Sequence, residues 1–186
     1  MATTTTVTGG RWGKWSTLLA GLPYDVQAAL FERLRDRNDL RPAQCYRLPI
    51  VFSTPRLTVP VGGTATAAWQ FLSLSAVYGV SRSFENETIF PAGTGGISGV
   101  SLCYPAEVSI NINFNQGATN WIGSAAEPCK LASIGDADHP TRVDPICPNR
   151  NDIWTLTLTG DATILNPIFS NVTLHGVKLY NAGGAI

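Results

Sequence analysis

The segment from Cys129 to Cys147 holds the residues of this sequence that are best suited to chemistry. Cys129, His139 and Cys147, together with one of the aspartates between them, have the side chains of a zinc site. Structural zinc sites usually bring their ligands as close pairs such as C-x-x-C, whereas each candidate here stands alone. The run GDADHPTRVD (135–144) also lacks the central glycine and the distal glutamate of an EF-hand loop. We therefore expect no metal ion here, and a polar loop whose aspartates cap turns.

Other patterns typical of catalysis are also missing. His175 stands beside Gly176 in NVTLHGVKLY, a setting more typical of a turn than of a general base. The glycine-rich run GTGGISGVS (93–101) lacks the lysine of a phosphate-binding loop. No G-x-S-x-G elbow occurs, and glutamates are scarce for a glycosidase carboxylate pair. We expect no catalytic residue, no cofactor and no enzymatic activity, and rank a hydrolase with two distant carboxylates third among the alternatives.

The four cysteines, Cys45, Cys103, Cys129 and Cys147, are few and irregularly spaced. This pattern is far from that of a disulfide scaffold and favours free, mostly buried thiols. A disulfide between Cys129 and Cys147, which would close the proline-rich stretch between them, stays open as an alternative.

The charge of the chain limits its partners. Among 186 residues, 13 basic and 13 acidic side chains give a formal net charge of +0, and only 14% of residues are charged, against about 25% in ordinary domains. Such a chain has little long-range field to attract nucleic acid or anionic lipid, and near-zero net charge favours association between copies. The start MATTTTVTGG lacks the basic and apolar regions typical of a signal peptide, and no stretch approaches the length of about 18 apolar residues expected of a membrane span. We expect synthesis in a cytoplasm, with neither nucleic acid nor membrane as a partner.

Residues 1–22 form the first of three predicted regions. Residues 1–10 are rich in threonine and predict an extended arm. In RWGKWSTLLAGL, apolar residues recur at spacings of three and four, which predicts a short amphipathic helix that ends at Gly21. Trp12 and Trp15 either pack on this helix or dock on a neighbouring molecule.

Residues 23–42 form the second region, a helix followed by a connector. Pro23 suits the first helical position, Asp25 lies in the first turn, and the apolar stripe continues to Leu34. The helix is predicted over 23–37. Its other face interleaves acidic residues with arginines, as on a solvated or protein-facing surface, and we take Arg33 and Arg37 as candidate partner contacts.

Residues 43–186 predict an antiparallel β-sandwich or jelly roll. Pro49, Pro55 and Pro60 place the first extended stretch at a sheet edge. The strict alternation in EVSININF (107–114) predicts a half-buried strand. Turns are expected at 159–161, 166–167 and 175–176, and Trp69 and Trp154 are expected in the core.

Segment 115–150 interrupts this pattern with four prolines and no sustained periodicity. Because loops longer than about 12 to 15 residues are usually functional, we expect this segment to contact a partner. Trp121, in the polar run GATNWIGS, is the candidate exposed anchor.

The order of these features resembles that of small virion structural proteins of double-stranded DNA bacteriophages: a threonine-rich arm, a short helical element, and a low-charge β domain with long Pro/Gly loops. The resemblance implies a non-catalytic, multi-copy component of the decoration or minor capsid type, present in the virion and assembled in the host cytoplasm. It implies binding to capsid or tail subunits and to copies of itself. The candidate contacts are Trp12, Trp15, Trp121, Arg33 and Arg37.

The alternative function is a glycan- or receptor-binding β-sandwich module. Its site would combine Trp121, Asn115 and Asn120 with the aspartates of segment 115–150. The two functions share one fold, so the fold does not decide between them.

Overall fold

The structure, a computed structural model, describes residues 11–85, 108–114, 119–124, 126–162 and 167–186. For a few residues within these ranges, Trp12 among them, only the backbone is described. The predictions for the arm 1–10, the glycine-rich run 93–101, Cys103 and Asn115 lie outside the described residues.

Two short helices begin the described chain, as the sequence predicts. Helix α1 spans Arg11–Leu19 and helix α2 spans Tyr24–Leu34. Gly21 lies between them with a φ of 79°, a left-handed conformation that glycine adopts without strain. Helix α2 ends three residues before the predicted boundary at 37, and buries Val26, Leu30 and Leu34.

Eleven strands follow within the described residues. One 3-10 turn, at Pro42–Gln44, precedes the first strand, and another, at Leu131–Ser133, lies between the seventh and eighth strands. The strands are β1 Cys45–Ser53, β2 Leu57–Val59, β3 Thr64–Gln70, β4 Ser75–Glu85, β5 Val108–Phe114, β6 Thr119–Ile122, β7 Cys129–Lys130, β8 Thr141–Ile146, β9 Ile153–Gly160, β10 Ile168–Asn181 and β11 Gly184–Ala185.

The strands form two antiparallel sheets with jelly-roll connectivity. Sheet A has the order β1-β10-β4-β8, with β2 and β11 also paired to β10. Sheet B has the order β3-β9-β5-β6, with β7 also paired to β5. Strands β1 and β2 pair with successive parts of β10 and act as one interrupted edge strand, as the prolines predict. The chain then crosses repeatedly between the sheets, which is the jelly-roll arrangement. The predicted fold class is confirmed.

Three layers enclose two cores. On β10, Val172 and Leu174 face sheet B, whereas Val177 and Leu179 face the helices. This division follows from the two-residue period of a strand, which places even and odd positions on opposite faces. The predicted alternation of β5 is confirmed, since its valine and two isoleucines are buried between the sheets.

Trp154 is the centre of the core between the sheets. It is fully buried, and its ring lies 5.0 Å from those of Phe71 and Trp121 and 5.7 Å from that of Phe114. Trp69 is half-buried and packs at the border of the same aromatic group, 5.3 Å from Phe52. Both tryptophans lie in or against the core, as predicted.

The helices are held on the outer face of sheet A by apolar and polar contacts. Trp15 and Leu19 of α1 pack with α2 and with β10 residues in the second core. Arg47 on β1 donates hydrogen bonds to the carbonyl oxygens of Leu18 (3.2 Å) and Ala20 (2.7 Å). These carbonyls lie at the C-terminal end of α1, where a cation is favoured.

Two sequence predictions are wrong. The turn expected at His175 and Gly176 does not occur, because β10 runs unbroken through both residues. Glycine is required there for another reason: a Cβ on Gly176 would collide with the carbonyl oxygen of Ala76 on β4. Segment 115–150 is not one long loop, since it contains β6, β7, β8 and a 3-10 turn.

The described cysteines Cys45, Cys129 and Cys147 are free thiols. Cys147 is buried with the helices, whereas Cys129 packs against the core between the sheets, so the alternative disulfide between them does not form. Among the described residues, neither helix has the length and apolar character needed to cross a membrane.

Candidate functional site

The first predicted anchor, Trp15, is a core residue. Only 1% of its surface is exposed, and it packs among the leucines of α1 and α2. Of the two alternatives considered for it, packing on the helices is the one that occurs. Trp12 lies in the first turn of α1, and the structure describes only its backbone.

Trp121 closes the space between two edge strands. Its ring meets Trp154 edge-on at 5.0 Å, and its Nε1 donates a hydrogen bond of 3.2 Å to the carbonyl oxygen of Asp144 on β8. The residue is half-buried rather than fully exposed. Trp121 therefore links sheet B to sheet A, and only part of its surface is left for a partner.

Arg33 and Arg37 lie at one shallow cleft of about 190 Å³, which Asn149 and Arg150 also line. Arg37 donates two hydrogen bonds to Asp39, of 2.8 and 2.7 Å, and these hydrogen bonds raise the pKa of Arg37. Arg33 and Arg150 form no ion pair with any described residue. The structure thus brings both predicted arginines together and adds a third.

An apolar surface that the sequence did not reveal lies on the inner face of sheet A. Tyr46 and Leu48 are each 48% exposed, although they share a face of β1 with Phe52, which packs against Trp69 and Phe71. The reason is length: β10 has 14 residues and β9 has 8, so sheet A extends beyond the cover of sheet B. Tyr180 lies opposite Tyr46 with its ring stacked at 5.7 Å, and the partly buried Lys178 lies opposite Leu48 and is the one charged neighbour on this face of the β1–β10 pair. We call Tyr46, Leu48 and Tyr180 the overhang patch.

The outer face of sheet B carries uncharged polar side chains in register. Cross-strand pairing aligns three rows, which are Thr64-Thr159-Ser109, Thr66-Thr157-Asn111 and Ala68-Thr155-Asn113. A cleft of about 380 Å³ lies over two of these rows, beside Ser124 and Pro128. The Oδ1 atom of Asn111 at this cleft is buried and forms no hydrogen bond to any described residue.

One serine and one histidine meet on the outer face of sheet A. Ser81 Oγ lies 2.8 Å from His175 Nε2, but Ser81 is only 2% exposed. A nucleophile must reach its substrate, and Ser81 is too deeply buried to do so. We therefore interpret the contact as a hydrogen bond that links the neighbouring strands β4 and β10. Nothing in the sequence indicated it, because the two residues are far apart along the chain.

The residues considered as zinc ligands are not brought together. His139 is an exposed loop residue whose ring lies 3.4 Å from Asp136, whereas Cys147 is buried beneath the helices. The backbone N–H of His139 donates to Asp136, and this bond lowers the pKa of that carboxyl. In the part of the chain that the structure describes, no three His, Cys, Asp or Glu side chains are grouped so as to hold a metal ion.

No protein-family model matches this chain, and a search of the curated proteins finds no similar sequence.

Proposed function

We propose that this chain is a non-catalytic structural subunit of a virion, which binds capsid or tail subunits and other copies of itself as a decoration or minor capsid component does. The observation that carries the proposal is the overhang patch. Its members Tyr46 and Leu48 lie on a rigid sheet and are each 48% exposed to solvent, and Tyr180 stacks on Tyr46.

The chemistry of the overhang patch is that of a protein interface. Tyrosine is enriched at such interfaces, and adjoining exposed apolar side chains mark contact sites more than scattered ones do. A jelly roll is also a common scaffold of viral capsid proteins, although it serves lectins and enzymes as well. The surface supports the structural role, and the fold is compatible with it.

Other parts of the chain extend this surface in the proposal. Residues 1–22 and segment 115–150 remain proposed contacts, with Trp12 and the exposed part of Trp121 as their aromatic members. Arg33 and Arg37, beside Arg150, would meet acidic groups of a neighbouring subunit. Trp15 acts indirectly, by fixing α1 on sheet A.

Incorporation into particles tests the proposal. A tagged copy of the chain is supplied while the native particles assemble, and its share in the purified particles is measured. We expect incorporation of the wild type and a loss of at least about tenfold for the double variant Y46S/L48S, because interface residues of this type carry much of the binding energy. The matched control is Y24S, since Tyr24 is 81% exposed on α2 and lies outside the patch.

Two outcomes contradict the proposal at different levels. Equal incorporation of Y46S/L48S and the wild type would exclude the overhang patch as the contact surface. Absence of the wild-type chain from every particle fraction would overturn the structural role itself.

A second candidate function, glycan binding, is favoured by the cleft on the outer face of sheet B. Its hydroxyl and amide groups are uncharged, as suits the hydroxyls of a neutral sugar, and Asn111 lines it with a buried Oδ1 that has no hydrogen-bond partner among the described residues. Binding to immobilised neutral oligosaccharides tests this function. We expect loss of binding in N111A and no change in N38A, whose asparagine is exposed in the turn after α2; absence of binding by the wild type would contradict it.

A further inference from the structure

Strand β3 forms one edge of sheet B, and no described residue forms a ladder with its outer side. It pairs only with β9, from Thr64 opposite Thr159 to Gln70 opposite Ile153, without a break in register. Its sequence TATAAWQ contains no charge and no proline. Natural sheets usually protect an edge with charged residues, prolines or bulges. An edge of this length without them is a template for another strand.

The hydrogen bonds at both ends of β3 show which backbone groups are free. Gly160 N donates to Gly63 O (2.8 Å), and Phe71 N donates to Asp152 O (3.1 Å). Bonded and non-bonded pairs alternate along an antiparallel ladder, so the odd-numbered residues between these ends bond to β9. The N–H and C=O groups of the four even-numbered residues therefore point away from β9; they are Thr64, Thr66, Ala68 and Gln70.

We infer that β3 pairs antiparallel with β3 of a second copy, around a two-fold axis at Ala67. In this register Thr64 of one copy lies opposite Gln70 of the other, and Thr66 lies opposite Ala68. All four residues with free backbone groups then form hydrogen-bonded pairs, with two bonds in each pair. The surface is self-complementary, as a two-fold interface requires.

The residues at the two ends of β3 suit the same arrangement. Val61, in the turn before the strand, is 46% exposed, and Leu72, just after it, is 67% exposed. Antiparallel pairing brings Val61 of one copy beside Leu72 of the other, twice in the dimer. Because the strand is uncharged and the chain has a formal net charge of +0, no repulsion between net charges opposes this contact.

This interface lies on sheet B and is separate from the overhang patch of sheet A. It requires no other particle protein, so it is tested on the purified full chain and does not depend on the proposed virion role. A purified chain that dimerises but never enters particles would support this inference and contradict the proposed function.

The first test changes one backbone N–H and measures association by sedimentation velocity over a wide range of concentration. In T66P the ring removes an outward N–H, while the ladder to β9 keeps its bonds. The matched control T66V changes the same side chain and keeps the N–H. We expect wild type and T66V to dimerise, and the dissociation constant of T66P to rise at least about tenfold. A wild type that stays monomeric, or a T66P dimer of unchanged affinity, would overturn the inference.

The second test reads the register and does not depend on the folding of a proline variant. With the axis at Ala67, the two Ala67 Cα atoms are about 4.5 Å apart in a non-bonded pair, within the reach of a disulfide. The two Ala65 Cα atoms are about 13 Å apart along the strands. Under mild oxidation, A67C is expected to form a covalent dimer well above the wild-type background, and A65C is not. Dimers that form equally with A65C, or only with A65C, would refute the register.

Discussion

Arg142 on β8 and Asp25 at the start of α2 form a polar connection between the β8 edge of sheet A and the helical layer. The Nη2 group of Arg142 donates to both carboxylate oxygens of Asp25, at 2.6 and 2.8 Å. The hydrogen bond from Arg142 is the main reason that the pKa of Asp25 lies below its ordinary value of 3.8. Asp25 is thus both a favourable residue in the first turn of a helix and a link to the sheet.

Replacement of Asp25 by asparagine tests this connection through pH. A carboxyl whose pKa is lowered in the folded state adds stability above its unfolded pKa, and that stability is lost as the pH falls through the folded pKa. We expect wild type to be more stable than D25N at neutral pH, and the difference to shrink as the pH falls below about 4. Urea unfolding at a series of pH values measures it. The exposed Asp138 forms no ion pair with a described residue, so D138N is the control. A stability difference between wild type and D25N that does not change with pH would contradict this role of Asp25.

Gly176 tests the close approach of β10 and β4. Alanine at this position would place its Cβ against the carbonyl oxygen of Ala76, so the strands would have to separate. We expect G176A to lose about 1 to 3 kcal/mol of unfolding free energy, as overpacked core variants do. The matched control is G13A in α1, where nothing lies within 4 Å of the added Cβ and alanine favours the helix. Similar unfolding midpoints for both variants would show that the strands are not this close.

Ionisation of the Cys147 thiol is expected to lower the stability of the protein in alkali. Burial raises the pKa of its thiol from the ordinary value of 9.0 to about 11. The folded state therefore retains a proton that the unfolded state loses, and stability falls as the pH rises between these values, by about 2 to 3 kcal/mol in total. Unfolding of wild type and C147A from pH 8 to about 11 separates this effect from other titrations. Parallel pH profiles of the two proteins would refute it.

Trp15 and Arg33 are both candidate contacts in the sequence, and the structure places Trp15 in the core and Arg33 at the surface. Since Trp15 is buried, W15A is expected to lose about 3 to 5 kcal/mol of unfolding free energy. Arg33 is exposed, so R33A is expected to change the unfolding free energy by less than about 0.5 kcal/mol. Chemical denaturation measures both. Equal stabilities of W15A and wild type would show that Trp15 is not part of the core.

The parts of the fold that the sequence predicted depend on local periodicity. The stripe of α2 and the alternation of β5 each repeat over several residues, and both elements form as expected. Strand β6 has four residues and β7 has two, which is too few to show a periodic pattern. The sequence of segment 115–150 therefore predicts a loop.

The surfaces could not be predicted, because they depend on contacts between distant parts of the chain. Leu48 and Phe52 lie on the same face of β1, so the sequence pattern does not distinguish them. Leu48 is exposed only because sheet B is shorter than sheet A and does not cover it. Likewise, the sequence predicts a turn at Gly176, whereas the constraint on this residue is the carbonyl oxygen of Ala76 on another strand. The contact of Ser81 with His175 joins residues on β4 and β10 in the same way.

The most direct test of the central claim is the location of the native protein. Extracts of its source are treated with nuclease and separated by rate-zonal sedimentation, and the chain is quantified by mass spectrometry in each fraction. A virion subunit is expected to sediment with protected DNA, in many copies per particle and at a constant ratio to the other particle proteins. If the chain instead remains at the top of the gradient while the particles sediment without it, the structural role is contradicted.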